Sequence, residues 1–158
     1  MSHRSTIARF ALVFATLVAV AAPAGAQEAD RDVPPLVARG IDIYRTGGSA
    51  AALAEWTRTW DAATDSVALE RLRVSLANVD ESFGRFYGAD VVRVAGVGPN
   101  VKRVYAVFRY DVRPLYVRFD TYRKTNEWEV INMTWNVDPA RVMPLDMVQE
   151  IPVLDGAE

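Results

Sequence analysis

The sequence predicts an α+β domain in which N-terminal helices, the longest packed across the sheet, precede a four-stranded antiparallel meander. Two observations predict it. Apolar residues recur at intervals of three and four up to about Tyr87 and at intervals of two after Gly88. The four runs of period two are joined by the short connections Gly98-Pro99-Asn100, Arg113-Pro114 and Thr125-Asn126, which make neighbouring strands antiparallel. The composition, 51% hydrophobic and 24% charged over 158 residues, is that of an ordinary globular chain of one modest domain.

The first segment is expected to be removed. Arg4 and Arg9 stand without an acid before an uncharged run, Phe10 to Ala22, of about thirteen residues, the length of a signal-peptide core. Pro23 breaks that run, and Ala24-Gly25-Ala26 offers the small side chains that a signal peptidase accepts, so residues 1–26 read as a cleaved signal peptide. A spanning helix needs about twenty apolar residues, which this run lacks, and a lipid anchor at the boundary needs a Cys, so no stable membrane anchor is expected after cleavage. The signal has the general Sec form without a twin-arginine pair, which places the protein in a bacterial periplasm or outside the cell.

Residues 27–35 read as a flexible lead-in, ending in a Pro34-Pro35 pair that suits a first helical turn. Leu36, Val37, Ile41 and Tyr44 then follow helical spacing up to Gly47-Gly48. A second short helix is expected from Ser49 to Trp60, with Ser49 as N-cap and Leu53, Trp56 and Trp60 on one side. The longest helix is expected from Ser66 to Tyr87, where Leu69, Leu72, Leu76, Val79, Phe83 and Phe86 form one apolar stripe opposite Arg71, Arg73, Asp80, Glu81 and Arg85. A coiled coil is the alternative, but about three heptads ending at Gly88 suit a helix laid on a sheet better.

Strands are expected over Asp90 to Val97, Val101 to Asp111, Leu115 to Lys124 and Glu127 to Val137, closing a domain of residues 36–138. Residues 139–158, with Pro139, Pro144 and Pro152, read as an irregular tail with at most one helical turn. One sheet face carries Val104, Ala106, Phe108 and Tyr110, then Leu115, Val117 and Phe119, then Ile131, Met133, Trp135 and Val137, and is expected to meet the long helix. The alternate face carries Arg103, Tyr105, Val107 and Arg109; Tyr116, Arg118, Asp120 and Tyr122; and Trp128, Val130, Asn132, Thr134 and Asn136. A bulge in any strand exchanges the faces beyond it.

Chemistry is narrowed by what is missing. The only His is His3, inside the expected signal, and there is no Cys. The mature chain therefore has no Ser-His-Asp or Cys-His site, no Cys/His zinc site and no disulfide. Gly96-Val97-Gly98-Pro99 lacks the Lys of a phosphate-binding loop, and the acids lack the spacing of a calcium loop, so neither metal nor cofactor is expected. Loss of residues 1–26 leaves 132 residues with 16 basic and 20 acidic side chains, a net charge of −4 that gives no pull toward nucleic acid. One acid-base arrangement stays open: Asp120 lies between Tyr116 and Tyr122 beside Arg118, where a carboxylate among phenols can serve as a general base, although a surface ion pair with Arg118 accounts for the same residues.

The strands Leu115-Tyr-Val-Arg-Phe-Asp-Thr-Tyr-Arg-Lys and Asn126-Glu-Trp-Glu-Val-Ile-Asn-Met-Thr-Trp-Asn, with the polar turn Thr125-Asn126-Glu127 leading into Trp128, resemble the NTF2-like (cystatin-like α+β) superfamily over about Leu36 to Val137. The resemblance implies a cone of helices and curved sheet enclosing a pocket, with dimerisation through the sheet. It includes lyases, isomerases and many non-enzymatic binding proteins. Its His-dependent catalytic patterns have no counterpart here.

The leading expectation is a non-catalytic exported domain that binds itself, as a homodimer, or a partner protein through Arg103, Tyr105, Arg109, Tyr116, Arg118, Tyr122, Asn132 and Asn136, since Tyr, Trp and Arg dominate binding hot spots. A solvent-facing sheet stabilised by cross-strand pairs is the plainer account of the same residues. The alternative function is a pocket for a small apolar ligand, with or without His-free lyase or isomerase chemistry, between the long helix and the sheet and lined by Trp56, Phe108 and Trp135.

Overall fold

A computed structural model of the chain describes residues 32–61 and 63–148. The expected signal peptide, residues 27–31 of the lead-in and residues 149–158 of the tail lie outside them. The fold is α+β: helical elements α1 (Pro35–Trp56) and α2 (Ser66–Phe83) precede strands β1 (Phe86–Gly96), β2 (Val101–Tyr110), β3 (Leu115–Lys124) and β4 (Glu127–Asn136), which pair antiparallel in chain order. A 3-10 turn (Pro139–Arg141) and a one-turn helix α3 (Leu145–Val148) follow.

α1 is two helical segments turned back on one another at Gly48 (φ 78°, ψ 179°), the break that the Gly47-Gly48 pair predicts. Arg39 Nε meets Glu55 Oε1 at 3.0 Å, and the Trp56 indole donates to Val37 O at 3.3 Å, so the two segments lie side by side. The second segment ends at Trp56, short of the expected Trp60: Thr57, whose hydroxyl donates to the Leu53 carbonyl at 2.8 Å, already leaves the helical region at φ −104°, ψ 13°. Gly48 occupies a region of φ/ψ that only glycine enters without strain, so Gly48→Ala is expected to cost about 1–3 kcal/mol in urea unfolding. An unchanged midpoint would contradict the tight turn.

The longest helical element is thus α1, and α1, not residues 66–87, crosses the sheet, touching both edge strands β1 and β4. Its Leu36, Val37, Tyr44, Leu53 and Trp56 close over Val104, Ala106, Phe108, Leu115, Val117 and Phe119. α2 starts at Ser66 as expected but ends at Phe83, and Phe86 and Tyr87 belong to β1. It packs mainly on α1, so of its apolar stripe only Leu76 is buried, while Leu69, Leu72, Val79 and Phe83 stay half-covered.

The expected faces of β2 and β3 hold. In β4 the register slips between Asp120↔Asn132 and Thr121↔Val130, leaving Ile131 as the extra residue of a bulge. Beyond it the faces exchange: Val130 is buried in the core and Trp128 lies on the core side beneath Lys102 and Arg123, whereas both were expected on the other face. Ile131 and Val137, expected in the core, are 52% and 45% exposed. β1 carries two more irregularities, near Tyr87 and Val92, and the Trp60 indole caps the edge carbonyl of Val130 at 2.6 Å. Both edges of the sheet are therefore poor templates for adding a strand.

The lead-in is anchored where it is described. Pro34 is buried, Val33 packs on the core, and Lys102 Nζ binds the Asp32 carboxylate and, at 3.0 Å, its carbonyl.

Candidate functional site

The residues expected to bind a partner lie on the sheet face away from α1, in rows fixed by strand register. One row runs Ala95, Arg103, Asp120, Asn132, the next Arg93, Tyr105, Arg118, Thr134, and a third Asp90, Val107, Tyr116, Asn136. Period two brings these residues to one face, and antiparallel pairing sets Arg103 and Asn132 on either side of Asp120.

Asp120 is the hub. Arg103 Nε donates to its Oδ1 at 2.9 Å, Asn132 Nδ2 donates to its Oδ2 at 3.0 Å, and Arg118 Nη2 lies 3.2 Å from Oδ2. The carboxylate holds the Arg103 guanidinium still more firmly protonated than usual. With its oxygens engaged by two cross-strand donors, Arg103 and Asn132, and by Arg118 two residues earlier on β3, Asp120 bonds neither the Tyr116 nor the Tyr122 hydroxyl among the described residues, and sits at the centre of an ion-pair network. Arg118 Nε is buried without a hydrogen-bond partner among the described residues. Such a buried orphan donor costs about 1–3 kcal/mol.

Half of this face is already occupied. Val142 and Met143, after the 3-10 turn, lie on Tyr105, and Met147 and Val148 of α3 join Ala95, Val107 and Tyr116 in a second apolar cluster. Arg93 Nη1 ties the segment down through Asp146 Oδ2 at 2.7 Å. Residues 139–148 of the tail expected to be irregular thus form a docked segment with a 3-10 turn and one turn of α-helix. Tyr105 is only 5% exposed as a result and Tyr116 is half-buried. Asn136 uses its side-chain oxygen to accept the Asp138 amide at 2.9 Å, and Arg109 pairs with Asp90 at 3.1 Å. What stays open is the strip of Arg103, Arg118, Asn132 and Tyr122, the last 39% exposed.

The expected pocket residues are not brought together. Trp56 and Phe108 are each 1% exposed and pack in an aromatic core with Tyr44, Phe86 and Phe119, at ring-centroid separations of 4.4 to 6.4 Å. Neither lines a described cleft. Trp135 does: with Trp60 it walls an open cleft of about 480 Å³ between α2 and β4. Arg71, expected merely to face water, stands in the same cleft, and the signal for it was its place four residues before Ser75 on the flank of the apolar stripe.

A buried polar chain completes the core. The Tyr44 hydroxyl donates to Asp80 Oδ1 at 2.6 Å, so the Tyr110 hydroxyl, 2.9 Å away, donates to Tyr44. Burial pushes both phenols well above their ordinary range, with the Asp80 charge adding to the effect. Next along the chain from Tyr110, Asp111 accepts from the Tyr87 hydroxyl and the Arg85 amide, which hold its carboxyl below the usual range.

Among the described residues there is no group of three His, Cys, Asp or Glu side chains able to hold a metal, and no helix long and apolar enough to cross a membrane. No family model, curated protein or solved structure matches the chain.

Proposed function

We propose that the mature chain is an exported, non-catalytic binding domain whose sheet face holds polypeptide, either a second copy or a partner protein. The observation that carries this reading is the docked segment of residues 142–148, in which Tyr105, Val107 and Tyr116 already grip two methionines and two valines of the same chain. A surface of rigid rings flanked by Arg side chains suits that task, because the rings supply contact area at little entropic cost and the guanidinium groups add directed hydrogen bonds. The uncovered strip beside the segment, with the exposed Arg103, Asn132 and Tyr122 side chains, is where a partner in trans would bind. The NTF2-like resemblance of β3 and β4 belongs to the same proposal.

The test replaces two of the three exposed residues of the strip together, Arg103→Ala and Tyr122→Ala. The double variant is expected to weaken self-association or capture of an envelope protein at least about tenfold, the loss of one hot-spot contact, while stability falls by about 1–3 kcal/mol because Asp120 loses one of its donors, leaving the domain folded. Sedimentation equilibrium and pull-down from the host envelope read the first, urea unfolding the second. Association that survives the substitutions, or a wild-type protein that stays monomeric and captures nothing, would refute the reading.

A further inference from the structure

The cleft between α2 and β4 lies where α2, packed mainly on α1 and reaching the sheet through Phe83 against Tyr110 of β2, leaves the β4 edge partly uncovered. Leu72 from the helix, Met133 from the strand and the Trp60 and Trp135 rings supply its apolar lining. The Trp60 ring is held in place by its indole bond to Val130 O. At about 480 Å³ the space lies within the range of small-molecule sites. Apolar area left open this way is a standing cost in water, recovered only when something covers it.

The charge on the rim narrows the occupant. Arg71 is the only charged residue among those lining the cleft, and no carboxylate lines it. Arg71 has no ion pair among the described residues, unlike Arg39, Arg73, Arg93, Arg103, Arg109 and Arg118. Ser75 and Thr134 add hydroxyls at the same opening.

We infer that this cleft binds a small carboxylate with a flat or aliphatic apolar body. The body lies between the two indoles over Leu72 and Met133, and the carboxylate sits at Arg71, where a guanidinium offers paired donors to a single anionic group. The inference turns on Arg71 and the apolar lining, none of which the sheet-face proposal uses; it shares with that face only Asn132 and Thr134 at the β4 edge.

The probe pair is 4-phenylbutanoate and its neutral isostere 4-phenylbutanamide, titrated into the mature protein and followed by calorimetry and tryptophan fluorescence. The acid is expected to bind saturably and at least about tenfold more tightly than the amide, a difference that Arg71→Gln removes by weakening the acid alone. Ser75→Trp, at an exposed position that leaves the core untouched, is expected to fill the cleft and abolish binding of both probes with the fold intact by circular dichroism. Equal binding of acid and amide, an Arg71→Gln variant with unchanged affinity, or no saturable binding into the millimolar range would each overturn the inference. A wild-type dimer that Ser75→Trp dissociates would overturn it as well, assigning the cleft to a second copy.

Discussion

Gly40→Ala is expected to destabilise the chain by about 3 kcal/mol, although the same change inside an ordinary helix stabilises it by about 1 kcal/mol. A Cβ at residue 40 would lie 1.8 Å from Trp56 Nε1 and 2.4 Å from two further ring atoms. The indole cannot move aside freely, because Trp56 is buried against Phe119 at 5.0 Å and Phe108 at 6.2 Å, and its N–H holds Val37 O. Displacing the ring therefore loses a hydrogen bond and opens the centre of the core in a single step. Trp56→Ala alone is expected to cost about 3–5 kcal/mol by leaving a cavity. The pair is strongly coupled: in the Trp56→Ala background, Gly40→Ala becomes neutral or stabilising, since the methyl enters the vacated space. Urea unfolding of the four proteins tests this, and a Gly40→Ala single variant as stable as wild type would show that the contact is not tight.

The second large effect is alkaline unfolding. Tyr44 and Tyr110 hold their protons in the folded chain above the ordinary phenol value of 10.0, because both are buried and both lie near Asp80. Below that value the folded and unfolded states carry the same phenol protons, and the full contribution of the pair is present. Above it the unfolded chain releases two protons that the folded chain keeps, so stability falls by about 2.7 kcal/mol per pH unit until the folded-state values are reached. A domain stable by about 5–15 kcal/mol is then expected to lose much of its stability within two pH units. The double variant Tyr44→Phe, Tyr110→Phe is expected to be less stable near neutrality, because Asp80 loses its donor, yet to show a far shallower alkaline fall. Urea midpoints measured from pH 8 to about pH 11 decide it. A wild-type curve flat over that range, or a double variant that falls as steeply, would exclude the tyrosine pair as its cause.

Both effects come from α1, whose role is harder to read from sequence than its existence. The helix boundaries at Pro35 and Ser66 and the strands at Val101, Leu115 and Glu127 follow from local chemistry: proline at a first turn, a change of period, and turn residues between runs. Which helix lies on the sheet does not. The stripe of α2 is longer and more regular than that of α1, but a stripe states only that a face will be covered and not by what. The decision rests on Gly40, whose missing side chain lets the Trp56 ring lie against the first helical segment, and on the turn at Gly48 that brings it there. Such pairwise fits across sixteen residues leave no periodic trace.

The bulge in β4 is an intermediate case. Trp128 and Val130 fall on one parity and Met133 and Trp135 on the other, so the break of phase is present in the sequence, although nothing local fixes which residue is the extra one. The rows of the candidate face were legible from alternation alone. Their partial occupation by residues 142–148 was not, because a Pro-containing stretch with few apolar residues carries no sign of where it docks.

That docked segment also sets a sequence of events. The helices and all four strands precede it in the chain, so a polypeptide leaving a ribosome or a translocation channel amino end first completes its sheet before residues 142–148 arrive. For that interval Tyr105 and Tyr116 stand uncovered on a fully paired sheet, open to a holding chaperone or to a neighbouring nascent copy. Residues 142–148, which follow all four strands, then close over these rings. A chain cut short after residue 138 would keep its strands and its aromatic core and would carry, for its whole lifetime, the bare tyrosine rings that the longer chain shows only during its birth.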